Sequence, residues 1–137
     1  MGRILALDVG DVWTGTALSD DLGLLARPNQ TIKTINLETY LERFFADNVI
    51  DKVVVGYPRT MRGTVSEQTK KVMLLKDELE GKFSGVSWIL WDERLSSKRA
   101  QSQKSKRLKI DKQHEHSLAA AFILDSYLEY NRIYNLQ

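Results

Sequence analysis

The 137-residue sequence contains no cysteine, which removes disulfide scaffolding, thiolate metal sites and thiol catalysis from consideration. Any catalytic chemistry must come from carboxylates, hydroxyls, amines or the two histidines. Proline and glycine are scarce, at 2 and 8 residues, and hydrophobic residues make up 42%, a balance unlike that of disordered or collagen-like chains. Long apolar runs are missing too: the longest, Leu118 to Leu124, falls far short of a membrane span. Met1-Gly2-Arg3 leads straight into a strand-like Ile4 to Leu7 and then an acid, too short a stretch for a secretory signal. These absences predict a soluble, cytoplasmic protein, and residues 1–137 predict one domain, since a domain takes roughly 100 to 200 residues.

Net charge is small, +2, but it is unevenly distributed. Between Lys98 and Lys112 stand seven basic residues (Lys98, Arg99, Lys104, Lys106, Arg107, Lys109 and Lys112) against one acid, Asp111. Removing these from totals of 20 basic and 18 acidic leaves 13 and 17 for the rest of the chain. An acidic body with one basic stretch points to a polyanionic partner, because clustered Lys and Arg gain affinity by displacing counterions from phosphates. The competing reading is a solvated surface loop.

Apolar patterning predicts strands at Arg3 to Leu7, Trp13 to Ser19 and Leu22 to Ala26, the first two joined by the turn Asp8-Val9-Gly10-Asp11. Leu37, Tyr40, Leu41, Phe44 and Phe45 recur at helical spacing, with Asn48 as a stop. Val53-Val54-Val55 is a buried strand that ends at Gly56-Tyr57-Pro58, and Ser66 to Leu79 forms a second helix. Val86 to Trp91 is the fifth strand, with Asp92-Glu93-Arg94-Leu95 at its carboxyl end. Ser96 and Ser97 can cap a following helix that carries the basic stretch. Leu118, Ala119, Phe122, Ile123, Tyr127 and Tyr130 mark a long terminal helix. The order β-β-β-α-β-α-β-α-α implies an α/β fold in which a mixed sheet, an antiparallel meander plus parallel strands, is flanked by helices.

Ligands of such sheets bind beyond the carboxyl ends of the strands, which singles out Asp8, Gly56 to Pro58 and Asp92-Glu93. A lone Asp-x-Gly is commonly a turn former. Glu93 argues for more, because two strand-end carboxylates can share one sheet edge and offer hard oxygen ligands to Mg²⁺ or Mn²⁺. Two such ions about 4 Å apart activate water and stabilise the leaving oxygen in phosphodiester hydrolysis. A third ligand is expected from the terminal helix. His116 lies seven residues before Ile123 and three before Ala119, on the sheet-facing side and nearer the helix start. His114, Glu115 and Asp111 are further candidates that spacing does not exclude, although His114 also reads as part of a polar helix start.

Taken in order, these residues resemble the YqgF family of RNase H-like, Holliday-junction-resolvase-related proteins described as candidate pre-16S rRNA nucleases. The resemblance spans nearly the whole chain. It is carried by Leu7-Asp8-Val9-Gly10 with Gly15 and Ser19-Asp20, and by Val54-Val55-Gly56-Tyr57-Pro58 leading to Met61-Arg62-Gly63-Thr64. Asp92-Glu93-Arg94-Leu95-Ser96, and Ala119-Ala120 with Ile123-Leu124 and Tyr127-Leu128, complete it. The resemblance implies an RNase H-like fold with a five-stranded sheet, and a divalent-metal nuclease site in which Asp8 and Glu93 are the acidic ligands. It also implies that Arg94 faces substrate phosphates and that the loop from Gly56 to Gly63 borders the substrate groove. Two positions depart from the family pattern. His116 stands where an Asp is usual, which favours Mn²⁺ over Mg²⁺. Trp13 replaces a usual Arg; an exposed Trp there would stack on an unpaired base, and a buried one would belong to the strand pair.

The leading expectation is a metal-dependent nuclease acting on structured nucleic acid, processing the 5′ end of pre-16S rRNA in ribosome biogenesis. Asp8, Glu93 and His116 are its catalytic and metal ligands, with no organic cofactor. Arg94, Lys98, Arg99 and the Lys104 to Lys112 cluster hold the backbone. The rivals are a dimeric Holliday-junction resolvase and a catalytically weakened nucleic-acid-binding module, with monomer or homodimer left open. A two-jawed actin-like kinase needs a second domain that 137 residues do not supply.

Overall fold

The computed structural model describes residues 2–58, 66–95 and 112–134. Its sheet has five strands: β1 (Arg3–Val9), β2 (Trp13–Ser19), β3 (Ala26–Lys33), β4 (Ile50–Tyr57) and β5 (Ser87–Asp92), in the order β3-β2-β1-β4-β5. β1 to β3 form the antiparallel meander, and β4 and β5 add in parallel beside β1. This is the expected mixed sheet. Helices α1 (Leu37–Asp47), α2 (Glu67–Lys82) and α3 (Lys112–Tyr134) cover it.

Both faces of the central strands are buried, which is why β1 and β4 read as unbroken apolar runs and not as alternating ones. Leu5, Leu7, Val53 and Val55 pack on one face with Leu37 and Leu41 of α1 and Val72 and Leu79 of α2. On the other face Ala6, Ala17, Val54 and Trp91 meet Ala120, Ile123, Leu124, Tyr127 and Leu128 of α3. Burying a side chain such as Val54 or Leu124 stabilises by roughly 1.5 to 3 kcal/mol. Small residues dominate the centre of the second face, so α3 lies close against the sheet. α2 begins where Ser66 accepts a hydrogen bond from the Thr69 amide at 3.1 Å, as an N-cap should. α1 stops at Asn48, whose amide N–H donates to the Phe44 carbonyl.

The third strand differs from the sequence expectation of Leu22 to Ala26. Residues before Ala26 form a turn in which the Asp20 carboxylate accepts from the amides of Leu24 and Leu25 at 2.8 and 2.9 Å. The strand follows as the polar, exposed run Ala26–Lys33, which contains Pro28. β3 is an edge strand, and an edge tolerates both proline and polar side chains on a surface that buries little. A bulge between Gly15 and Ala17 is closed by Thr16, whose Oγ1 donates to the Gln30 carbonyl at 2.7 Å and accepts from its amide at 2.9 Å. The helix expected after Ser96 and Ser97, and most of the basic stretch, lie outside the described residues.

Candidate active site

Asp8 occupies the carboxyl end of β1 and is flanked in register by a glycine on each neighbouring strand, Gly15 of β2 and Gly56 of β4. All three face α3. A Cβ on Gly15 would overlap the backbone carbonyl of His116, and one on Gly56 would overlap Cδ1 of Ile123. α3 therefore rests on the backbone of the two strands beside Asp8, its start on Gly15 and its middle on Gly56. That close approach places His116 Nδ1 3.9 Å from Asp8 Oδ2, with the two side chains 34% and 21% exposed. The Asp8 carboxylate holds the His116 pKa above its ordinary value, against the opposing effect of partial burial, and the Glu115 charge adds to the rise.

The turn after β1 is fixed from two sides. Gly10 donates its amide to the Trp13 carbonyl at 2.9 Å, and a Cβ there would fall 2.7 Å from that oxygen. Thr34 donates its hydroxyl to the Gly10 carbonyl at 2.7 Å and its amide to the Val12 carbonyl at 2.8 Å. From α2, Gln68 Nε2 donates to the Val9 carbonyl at 3.3 Å. Thr34 and Gln68 have no signal in the sequence, because each acts from a distant segment through one backbone contact.

Glu93 opens a 3₁₀ turn directly after β5 and reaches back toward the same rim, with its Oε1 3.3 Å from the space a Gly56 Cβ would fill. Arg94 forks onto Asp92, with Nε and Nη2 at 2.9 and 2.6 Å from Oδ2 and its amide at 2.9 Å from Oδ1. The Asp92 carboxylate raises the guanidinium pKa further. The Asp92 carboxylate engages the Nε and Nη2 donors of Arg94, two of the three guanidinium nitrogens a phosphate could meet. His114 and Glu115 are exposed. The His114 carbonyl accepts from Ser117 Oγ at 3.1 Å. Lys98, Arg99, Lys104, Lys106, Arg107 and Lys109, Asp111, the Lys112 side chain, and the loop containing Met61 to Thr64 lie outside the described residues.

Asp8, Glu93 and His116 would supply two oxygen donors and one nitrogen, a set suited to Mn²⁺ or Mg²⁺. At 3.9 Å, Asp8 Oδ2 and His116 Nδ1 bring one oxygen and one nitrogen donor together at the rim, where they would hold such an ion. Among the described residues no three such side chains close around one point, so Asp8 and His116 form a pair with Glu93 beside Gly56.

A mixed sheet of this order, with Asp8 near the carboxyl end of its central strand under the terminal helix, is an RNase H-like fold. Over 97% of the chain it superimposes on 96% of T. thermophilus RuvC in complex with Holliday junction substrate, with a TM-score of 0.64 at 12% identity. Fowlpox virus resolvase with its Holliday junction DNA matches at a TM-score of 0.56 and 15% identity, over 93% of this chain and 97% of that one. The chain belongs to the RuvX family, described as Holliday junction resolvase, whose model matches residues 2–130. Two relatives named as candidate pre-16S rRNA nucleases, from Rubrobacter xylanophilus and Carboxydothermus hydrogenoformans, are each 39% identical. Both alignments cover 93% of this chain, with 93% and 96% of the relatives. Among the described residues no helix is long and apolar enough to cross a membrane.

Proposed function

We propose that this protein is a divalent-metal-dependent nuclease that hydrolyses phosphodiester bonds in structured nucleic acid, with the pre-16S rRNA 5′ end in the cytoplasm as its substrate. The observation that carries the reading is the Asp8–His116 pair, held near the carboxyl end of the central strand between glycines on both neighbouring strands. The names of the relatives support the substrate. When bound, the metal supplies an activated water and stabilisation of the leaving oxygen. Asp8 and Glu93 concentrate negative charge on one rim and hold the cation. His116 contributes nitrogen when neutral. Asp92 fixes the orientation of Arg94 beside this rim, and Lys98, Arg99, Lys104, Lys106, Arg107, Lys109 and Lys112 bind the phosphate backbone.

Asp8→Asn tests this reading. It should abolish Mn²⁺-dependent cleavage of an rRNA-precursor fragment and leave salt-dependent binding within about two-fold. Normal cleavage by the variant would sink the proposed site.

The fold likeness and the family description favour a second reading, resolution of a Holliday junction by a homodimer. Symmetric cleavage requires two active sites. A stable dimer in light scattering with paired nicks in a four-way junction supports it, and a monomer that cleaves only RNA opposes it.

A further inference from the structure

Between β2, β3 and the start of α1, a shallow groove of about 430 Å³ is lined by Trp13, Lys33, Tyr40 and Arg43, among others. We propose that this groove seats an unpaired stretch of the nucleic-acid substrate, with one base stacked on Trp13 and the flanking phosphates on Lys33 and Arg43. This proposal rests on the nuclease reading and names the strand state that the site accepts.

Three observations carry it. First, charge: the lining holds two cations and no carboxylate, and neither Lys33 nor Arg43 is in an ion pair among the described residues. The body of the protein outside the basic stretch is net acidic, so an acid-free cationic groove is a local exception.

Second, chemistry: Trp13 is the partly exposed tryptophan, whereas Trp88 and Trp91 are each 8% exposed and belong to the two cores. An indole and a phenol beside two cations form the combination that binds single strands, since every base offers a π-face to an aromatic ring while its phosphate seeks a cation. A duplex hides those faces in its stack.

Third, continuity with the site: the Trp13 carbonyl accepts the Gly10 amide, and Gly10 lies against His116. Trp13 is two residues before Gly15, the partner of Asp8 in the ladder. Two residues of rise and one strand spacing put the Trp13 and Asp8 backbones about 8 Å apart. At about 3.4 Å per stacked nucleotide this spans two or three nucleotides. A base on Trp13 is therefore two or three nucleotides from Asp8.

The test titrates the metal-free full-length chain with a short oligouridylate. Tryptophan emission and the anisotropy of a labelled oligonucleotide are followed together. Quenching is expected to saturate with binding, because Trp88 and Trp91 are shielded in the cores. Trp13→Ala should remove the quench and weaken binding roughly five- to one-hundred-fold, while Trp13→Phe retains most of the affinity. The double variant Lys33→Ala/Arg43→Ala changes exposed side chains and spares the strand pair. It should flatten the dependence of log K on log salt by about 0.7 for each cation lost. A blunt duplex should bind with no dependence on residue 13. Equal single-strand affinity in wild type, Trp13→Ala and the double variant overturns the groove, as does a duplex that depends on Trp13 as strongly as the single strand does.

Asp8→Asn separates this proposal from the reading beneath it. If Asp8→Asn loses cleavage while Trp13→Ala binds single strands normally, the groove fails and the nuclease stands. Trp13-dependent binding with no metal-dependent cleavage by the wild type leaves the groove standing and defeats the nuclease.

Discussion

Gly15 of β2 sits directly beneath the backbone carbonyl of His116 in α3, with no room for a Cβ between them. A flexible side chain can swing away from an intruding methyl group, but a helical carbonyl moves only if the helix moves. Gly15→Ala should therefore lift the start of α3 and carry His116 away from Asp8. Overpacking of this kind costs about 1 to 3 kcal/mol or more. A melting temperature lowered by about 5 °C or more is expected in calorimetry, with a parallel loss of cleavage. An unchanged melt would mean that α3 does not rest on this glycine.

Gly56 makes the matching contact on the other side of Asp8, but against the end of the Ile123 side chain. Gly56→Ala should destabilise by about 1 to 3 kcal/mol, and shortening the obstacle with Ile123→Val should recover part of the loss. A double-mutant cycle in urea checks this. Strict additivity would show that the two residues do not share the space.

The pH dependence follows from the Asp8–His116 pair, in which the folded-state pKa of His116 is raised. A raised pKa means that the folded state holds the proton more tightly than the unfolded chain. The pair's contribution to stability is therefore fully present below the unfolded value, about 6.5, and is lost as pH rises through the higher folded value. An NMR titration of the His116 ring should give a pKa above the ordinary imidazole value, and Asp8→Asn should lower it. Cleavage should rise with pH over the same interval, because a protonated imidazole cannot ligate metal. A His116 midpoint unaffected by Asp8→Asn would contradict the pairing.

His116 also bears on metal choice. His116→Asp exchanges an imidazole for a carboxylate and should shift the preference of cleavage from Mn²⁺ toward Mg²⁺. Rates with each ion, measured on both proteins, decide this. A wild type inert with either ion beside an active His116→Asp variant would instead identify the natural chain as a binding module.

Much of the architecture was legible in the sequence because it depends on local pattern. The apolar runs of β1 and β4 follow from burial on both faces, and the helical spacing of Leu37, Leu41 and Phe44 marks α1. The Ser66 cap marks the start of α2. The apolar pattern misplaces β3 for the complementary reason. An edge strand buries little, so Ala26–Lys33 carries no hydrophobic pattern, whereas Leu22, Leu24 and Leu25 are apolar yet exposed in a turn organised by Asp20.

By itself the sequence determined which groups exist to do chemistry: strand-end carboxylates at Asp8 and Glu93, a histidine on the sheet-facing side of the last helix, and no thiol. Only the tertiary structure decided how they meet. Residues in register across a sheet and along a docked helix are neighbours through pairing and packing, not through sequence distance. The glycines that bring His116 onto Asp8, the Thr34 bonds that fix the Gly10 turn, the fork that commits Arg94 to Asp92 and the groove between Trp13 and Arg43 are all products of that packing.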